Sequence, residues 1–227
     1  MADLERRRYL PVAVLAGLSL LFLGGLADLA WGIVVGLRVR LSDAAFAGGV
    51  RASRIAIVTA FMAAYTHLGD ELVSSAIVLA LCAGLILLKR RAYALFLFGV
   101  TLSAALVNTG LKEIVDRTRP PAMLAAVSLP HSASFPSGHA VIGLTLGGAL
   151  AIIVIMEFGL ARGIGPAALL VAFGALIGVS RVYLGVHWLS DVLGGWLLAL
   201  AWLSAWSAGW LWLLVRRDDR ARRSAAA

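Results

Sequence analysis

The chain has 227 residues, 61% of them hydrophobic and only 14% charged, with a net charge of +8. A soluble domain carries about 25% charged residues, so this composition excludes an ordinary water-soluble globule. The cations are scattered rather than gathered on one polar face, which argues against a nucleic-acid partner, and the lone Cys82 excludes an intrachain disulfide.

Six apolar segments approach the roughly 20 residues that cross a bilayer as a helix. The first, Leu10–Gly36, follows Glu5-Arg6-Arg7-Arg8 and has no small-residue cleavage site behind its apolar core, so it reads as a signal-anchor. Asp28 lies inside it. Either Asp28 pairs within the bundle or it marks where the span ends, and the second reading is preferred. Residues 38–67 are mixed, with Phe46, Val50, Ile55 and Val58 among Asp43, Arg51 and Arg54. They suit an interfacial amphipathic helix with a short dipping segment, and equally a plain connector. Asp70–Leu88 is the second span, where Asp70 and Glu71 are expected to cap the helix start rather than touch a headgroup. Ala92–Leu111, Ser137–Met156, Gly165–Val182 and Leu189–Val215 follow. The predicted fold is all-α: a polytopic bundle of six transmembrane helices in one domain, residues 1–215. The charged tail, 216–227, is expected to be disordered.

With six spans both termini share one side. That side carries Arg6, Arg7, Arg8, Lys89, Arg90, Arg91, Arg162, Arg216, Arg217, Arg220, Arg222 and Arg223. The other carries only Arg38, Arg40, Arg51, Arg54, Lys112, Arg117, Arg119 and Arg181. The positive-inside rule puts both termini in the cytoplasm. Three polar segments, Lys112–Pro120, Pro136–His139 and Ser180–Asp191, then meet at one depth on the outer face.

Those segments hold cations, two histidines, a carboxylate and a Ser-Gly turn. Lys112 and Arg119 are seven residues apart, so if the helix continues they share a face, two turns on, and can hold one anion. Taken alone, the pair also suits a basic loop at the membrane edge. Pro136-Ser137-Gly138-His139 opens an apolar run. Ser137 is a natural N-cap, Gly138 lets a ligand approach the backbone, and the free amides of a helix start attract anions. His139 would sit beside that anion; a capped helix with an interfacial histidine is the plainer account. His131 has no spacing that ties it to the site. His187 and Asp191, four apart, would stack on one helix face. A carboxylate there can take the proton of one ring nitrogen and leave the other nucleophilic, as in a catalytic triad. Asp191 directly precedes an apolar run, where charge is costly and usually functional.

In order and spacing these residues resemble the type 2 phosphatidic acid phosphatase family of membrane lipid-phosphate phosphatases. The pattern is Lys, six residues, Arg-Pro; then Pro-Ser-Gly-His; then Ser-Arg, five residues, His, three residues, Asp. It is met at Lys112, Arg119-Pro120, Pro136-Ser137-Gly138-His139, Ser180-Arg181, His187 and Asp191 without departure. The resemblance implies that His187 is the nucleophile and forms a phosphohistidine, that Asp191 orients it, and that His139 protonates the leaving group. It implies too that Lys112, Arg119, Ser137, Gly138 and Arg181 hold the phosphate oxygens.

The expected activity is metal-independent hydrolysis of a lipid phosphate or pyrophosphate within membrane lipid, with no cofactor and no nucleic acid. Neither His-Glu-x-x-His nor Gly-x-x-x-x-Gly-Lys occurs, so a zinc hydrolase or nucleotide-driven pump has no support. Transfer of the phosphoryl group to an alcohol shares the first step, and a transporter that kept the motifs is the rival of another class. Arg38, Arg40, Arg51 and Arg54 add positive field on the outer face, which favours a pyrophosphate head such as undecaprenyl pyrophosphate over phosphatidic acid or phosphatidylglycerol phosphate.

Overall fold

In hydrocarbon a backbone amide finds no water, so an apolar run satisfies its own polar groups by becoming a helix. The computed structural model describes residues 2–226 and follows that rule. Among the described residues the α-helices are α1 (Ala2–Val35), α2 (Leu37–Ala52), α3 (Ala56–Thr66), α4 (Glu71–Leu87), α5 (Arg91–Val115), α6 (Gly138–Phe158), α7 (Leu160–Tyr183) and α8 (Leu189–Ala226). α1, α5, α6, α7 and α8 are each long and apolar enough to cross a membrane. α4 has only 17 residues, about 25 Å of helix. It still runs the depth of the bundle. Asp70, before its first turn, touches His139 at the start of α6, and Arg90, after its last, pairs with Glu157 at the far end of α6. Large apolar side chains face outward where lipid would lie; Leu72 is 85% exposed and Leu87 83%. The chain is an all-α, multi-pass membrane protein.

α2 and α3 are a pair bent by 120°. Both sit at the bundle end where α7 finishes, since Ile55 and Thr59 meet the Tyr183 hydroxyl and Arg181 reaches Thr66. The pair has the form of a broken span or re-entrant loop, and Tyr65 of α3 donates to the Phe173 carbonyl further along α7.

Small residues let the helices that carry the site pack closely. Gly143, Gly147 and Gly174 line the α6–α7 contact, and a Cβ on any of them would run into backbone of the opposite helix. Membrane helices approach this way because lipid offers no hydrophobic drive to bring them together. α1 lies antiparallel to α8, pinned by the Ser19 hydroxyl donating to the Ala201 carbonyl at 2.9 Å. On α5, Gly99 accepts the Trp206 ring, while Trp202 and Trp206 both donate to the Ser103 hydroxyl.

Three expectations about where helices end differ from the structure. α5 stops at Val115, with Asp116 in the left-handed region at φ 40°, so Lys112 and Arg119 do not share a helix face. α1 continues past Asp28 to Val35, so Asp28 does not end the helix. α8 carries on through the tail to Ala226, where residues 216–227 were expected to lack structure. Its last turns have partners: Asp218 and Asp219 bind Arg8, and Tyr9 donates to Asp219.

Candidate active site

Four helix ends and two loops converge at one end of the bundle. Lys112 comes from the last turn of α5, Ser137-Gly138-His139 from the start of α6, Arg181 from the last turn of α7, and Asp191 from the first turn of α8. The 116–137 loop supplies Arg119, and the turn between α7 and α8 supplies His187. That turn needs Gly185 at φ +73°, where a Cβ would collide with the Leu124 carbonyl. Every residue singled out by the three motifs arrives here; His131 lies exposed in the loop.

His187 is 2% exposed. It precedes α8 rather than standing on it, yet still meets Asp191, with Nδ1 3.3 Å from Oδ2. Its other nitrogen, Nε2, lies 3.0 Å from Nη1 of Arg119. Burial pushes the imidazole down to about 3, against the opposing pull of Asp191. The ring is therefore neutral at working pH, with its proton on the Asp191 side and its lone pair on the Arg119 side.

Asp191 is wholly buried and does not depend on His187 for partners. Arg117 Nη1 donates to Oδ1 at 2.6 Å, the Trp188 amide donates to Oδ2 at 2.9 Å, and Ser134 Oγ donates to Oδ2 as well. Arg117 also donates to Asp43 of α2 at 2.7 Å, and Asp43 accepts from the Ser190 amide at 3.0 Å. Asp43–Arg117–Asp191 is thus a buried acid–base–acid chain tying α2 to the floor of the site. A charge chain at this depth is costly unless each member is paired, and each is.

The cations stand around the His187 ring. Arg119 donates to the carbonyls of Ser132 and Val186, both at 2.8 Å, and burial lowers its guanidinium from the usual value. Lys112 Nζ donates to the Ala133 carbonyl at 2.5 Å. Arg181 donates from Nη1 to Thr66 Oγ1 at 2.9 Å, while its Nε is buried without a partner. Ser137 Oγ is also buried without a partner, and Ser137 makes no side-chain cap despite its N-cap position. The first amides of α6 have no carbonyl one turn back to bond. Buried donors left unpaired beside cations describe a cradle for a tetrahedral anion. A Cβ on Gly138 would press to 3.3 Å from Nδ2 of buried Asn108.

His139 Nε2 lies 3.0 Å from Oδ1 of Asp70. Asp70 occupies the N-cap position of α4 but makes no cap bond, contrary to the expected capping role. Its other oxygen, Oδ2, lies 2.6 Å from Nδ1 of His67. Burial alone would raise the Asp70 carboxyl, but the hydrogen bonds from His67 and His139 hold it below its ordinary range.

Thr66, Ser134 and Ser190 are site residues that sequence reasoning did not single out, while Asp70 was read only as a cap and Asp43 and Arg117 only as charges. For Asp43 a signal existed, a charge ahead of an apolar stretch, and Arg117 lay inside the first motif segment, but no spacing linked the two. Of Arg38, Arg40, Arg51 and Arg54, Arg40 donates to the Ile33 and Val34 carbonyls and Arg54 to those of Tyr183 and Leu124.

Residues 92–218 match the family model of the PAP2 superfamily. The sequence is similar to phosphatidylglycerophosphatase B of Bacillus subtilis (strain 168), 31% identical over 141 residues that cover 61% of this chain and 68% of that protein. A shorter match, 39% identical over 75 residues, is to an undecaprenyl-diphosphatase of Sulfolobus acidocaldarius, covering 33% of this chain and 32% of that one. Among solved structures, a transmembrane PAP2 type phosphatidylglycerolphosphate phosphatase from Bacillus subtilis superposes with a TM-score of 0.74 at 27% identity, covering 89% of this chain and 96% of that one.

Proposed function

The chain belongs to the PAP2 superfamily, and on that premise we propose that it hydrolyses a lipid phosphate by way of a phosphohistidine on His187. The observation that carries this reading is His187 itself, neutral and buried, with Nδ1 on Asp191 and Nε2 on the cation side. Nε2 attacks phosphorus as the bond to the leaving oxygen breaks, and His139 gives that oxygen a proton. Water then attacks phosphorus, the P–N bond breaks, and His139 takes the proton of the water. Lys112, Arg119 and Arg181, with Ser137 Oγ and the Gly138 amide, hold the non-bridging oxygens as charge builds in the transition state.

The lipid is the finer question. The longer match and the superposed structure are to proteins named for phosphatidylglycerophosphate, and the shorter match is to one named for undecaprenyl diphosphate. The case for a pyrophosphate head rested on four arginines, of which Arg40 and Arg54 direct their donors at backbone carbonyls. We therefore take phosphatidylglycerol phosphate as the first substrate and undecaprenyl pyrophosphate as the second.

Phosphate release from both, and from phosphatidic acid, in one detergent tests the reading. Among the described residues no three or more His, Cys, Asp or Glu are grouped to hold a metal ion, and the proposed route uses none, so turnover is expected to persist in EDTA. An enzyme that releases phosphate from none of the three lipids refutes the assignment. The site is read as extracytoplasmic, so with Cys82→Ala as background Ser132→Cys should react with an impermeant thiol reagent in intact cells and Arg90→Cys should not.

A further inference from the structure

Beside the buried pair of His187 and Asp191 stands a second pair, His139 and Asp70, built from segments far apart in the chain. We propose that Asp70 is the positioning carboxylate of His139, fixing its ring so that Nδ1 delivers the proton to the leaving oxygen, and that His67 holds Asp70 in place. This rests on the reading of His139 as proton donor given above.

Three observations point to it. The first is the contact itself, Nε2 to Oδ1 at 3.0 Å. A carboxylate only accepts, so Nε2 must carry its hydrogen and Nδ1 is left to exchange the working proton. The second is what Asp70 forgoes. It stands at the N-cap of α4 with extended backbone, φ −63° and ψ 143°, where an aspartate normally bonds the first free amides of the helix. Its side chain turns away to the two histidines instead. A local preference given up in this way is a mark of a functional contact. The third is Gly69, whose added Cβ would stand 2.7 Å from Cδ2 of His139 and 2.6 Å from Cγ2 of Ile177. Only a residue without a side chain lets the 67–70 segment pass flat against the ring.

The site is rich in cations: Arg119 reaches His187 and Arg181 reaches Thr66, the residue before the 67–70 segment. A positive charge on His139 among them needs a carboxylate to offset it. Asp70 is the carboxylate bonded to the ring, and it steadies the imidazolium from which the proton is given. His67, on the outer side, is 70% exposed and binds the opposite oxygen of Asp70. The carboxylate is thereby clamped between two rings and cannot swing back to the helix amides.

The test uses full-length protein and two leaving groups. A lipid alkoxide needs a proton to leave; p-nitrophenolate does not. First-turnover rates are measured on phosphatidylglycerol phosphate and on p-nitrophenyl phosphate for wild type, Asp70→Asn, Asp70→Glu and His67→Gln. Asp70→Asn is expected to slow the lipid reaction by about 10- to 100-fold and the nitrophenyl reaction by no more than about threefold, with KM for both near wild type. Asp70→Glu should recover part of the loss, and His67→Gln should show the same selectivity at smaller size. Equal loss on both substrates, or no loss on the lipid, overturns the proposal. Should Asp70→Asn elute as aggregate, the ratio of the two rates in His67→Gln decides, and an unchanged ratio overturns it. Wild-type protein inert on every lipid phosphate would instead refute the underlying assignment, whatever Asp70 does.

Discussion

The two carboxylate–histidine pairs use the same residue types in opposite surroundings. Asp191 is sealed, with donors from Arg117, Ser134, the Trp188 amide and His187 filling its oxygens. Asp70 is 40% exposed and holds only His67 and His139. Sealing keeps one imidazole neutral, which a nucleophile requires. The second pair reaches solvent through its carboxylate, although the His139 ring is only 17% exposed, and that opening suits the proton exchange proposed for it. Environment rather than residue identity separates the roles, as it does wherever two like groups divide acid and base work.

The comparison breaks most easily at the nucleophile. His187→Ala should lower turnover by about 10⁴-fold or more and abolish acid-labile phosphate on the protein, while His139→Gln should still become phosphorylated by p-nitrophenyl phosphate. Trapped phosphoprotein, counted after acid and alkaline quench, separates the two. If the His187→Ala protein is still labelled, the roles are wrongly divided. Asp191→Asn comes next, at about 10³- to 10⁴-fold in kcat, by analogy with loss of the orienting acid of a triad.

Arg117 sharpens the contrast from the structural side. Removing one member of a buried charge chain costs about 3–5 kcal/mol, so Arg117→Ala should lower the thermal midpoint in detergent markedly. Asp70→Asn, at a half-exposed position outside any such chain, should leave that midpoint nearly unchanged. A fall of the same size in both would remove the distinction between a sealed and an open pair.

The smallest effect expected is one of pH. His187 is pushed down to about 3 by burial, so lowering the pH does not protonate it until far below an ordinary imidazole. The first turnover of p-nitrophenyl phosphate, which needs the nucleophile but not the acid, should keep most of its rate from about pH 8 to about pH 5. An acid limb near about 6.5, the ordinary imidazole value, would mean that the ring is solvated.

The membrane class, the apolar runs of α4 to α8 and all the motif residues were legible in the sequence, because each depends on composition or on short spacing. Geometry was less so. Lys112 and Arg119 looked like helix neighbours because seven residues return to one face; the left-handed Asp116 breaks the helix between them, and loop carbonyls orient Arg119 instead. Asp70 read as a cap because cap and partner are the same residue type, and only the fold decides which way the carboxylate turns. Asp43 lay in a stretch whose pattern fitted two readings, and its partners, Arg117 and Ser190, are contributed by remote segments.

The bent α2–α3 pair also bears on how such a protein can change over time. It lies wholly outside residues 92–218, the stretch matched to the superfamily, yet together with the turn that follows it gives Asp43, Thr66 and Asp70 to the site. The phosphate motifs and these supports therefore lie on separate stretches of the chain. Exchanging residues 36–70 between relatives would leave every motif residue in place and still alter the floor, the cradle and the proton donor together. Substitutions in that region of this chain would retune the site without touching the residues that identify the family.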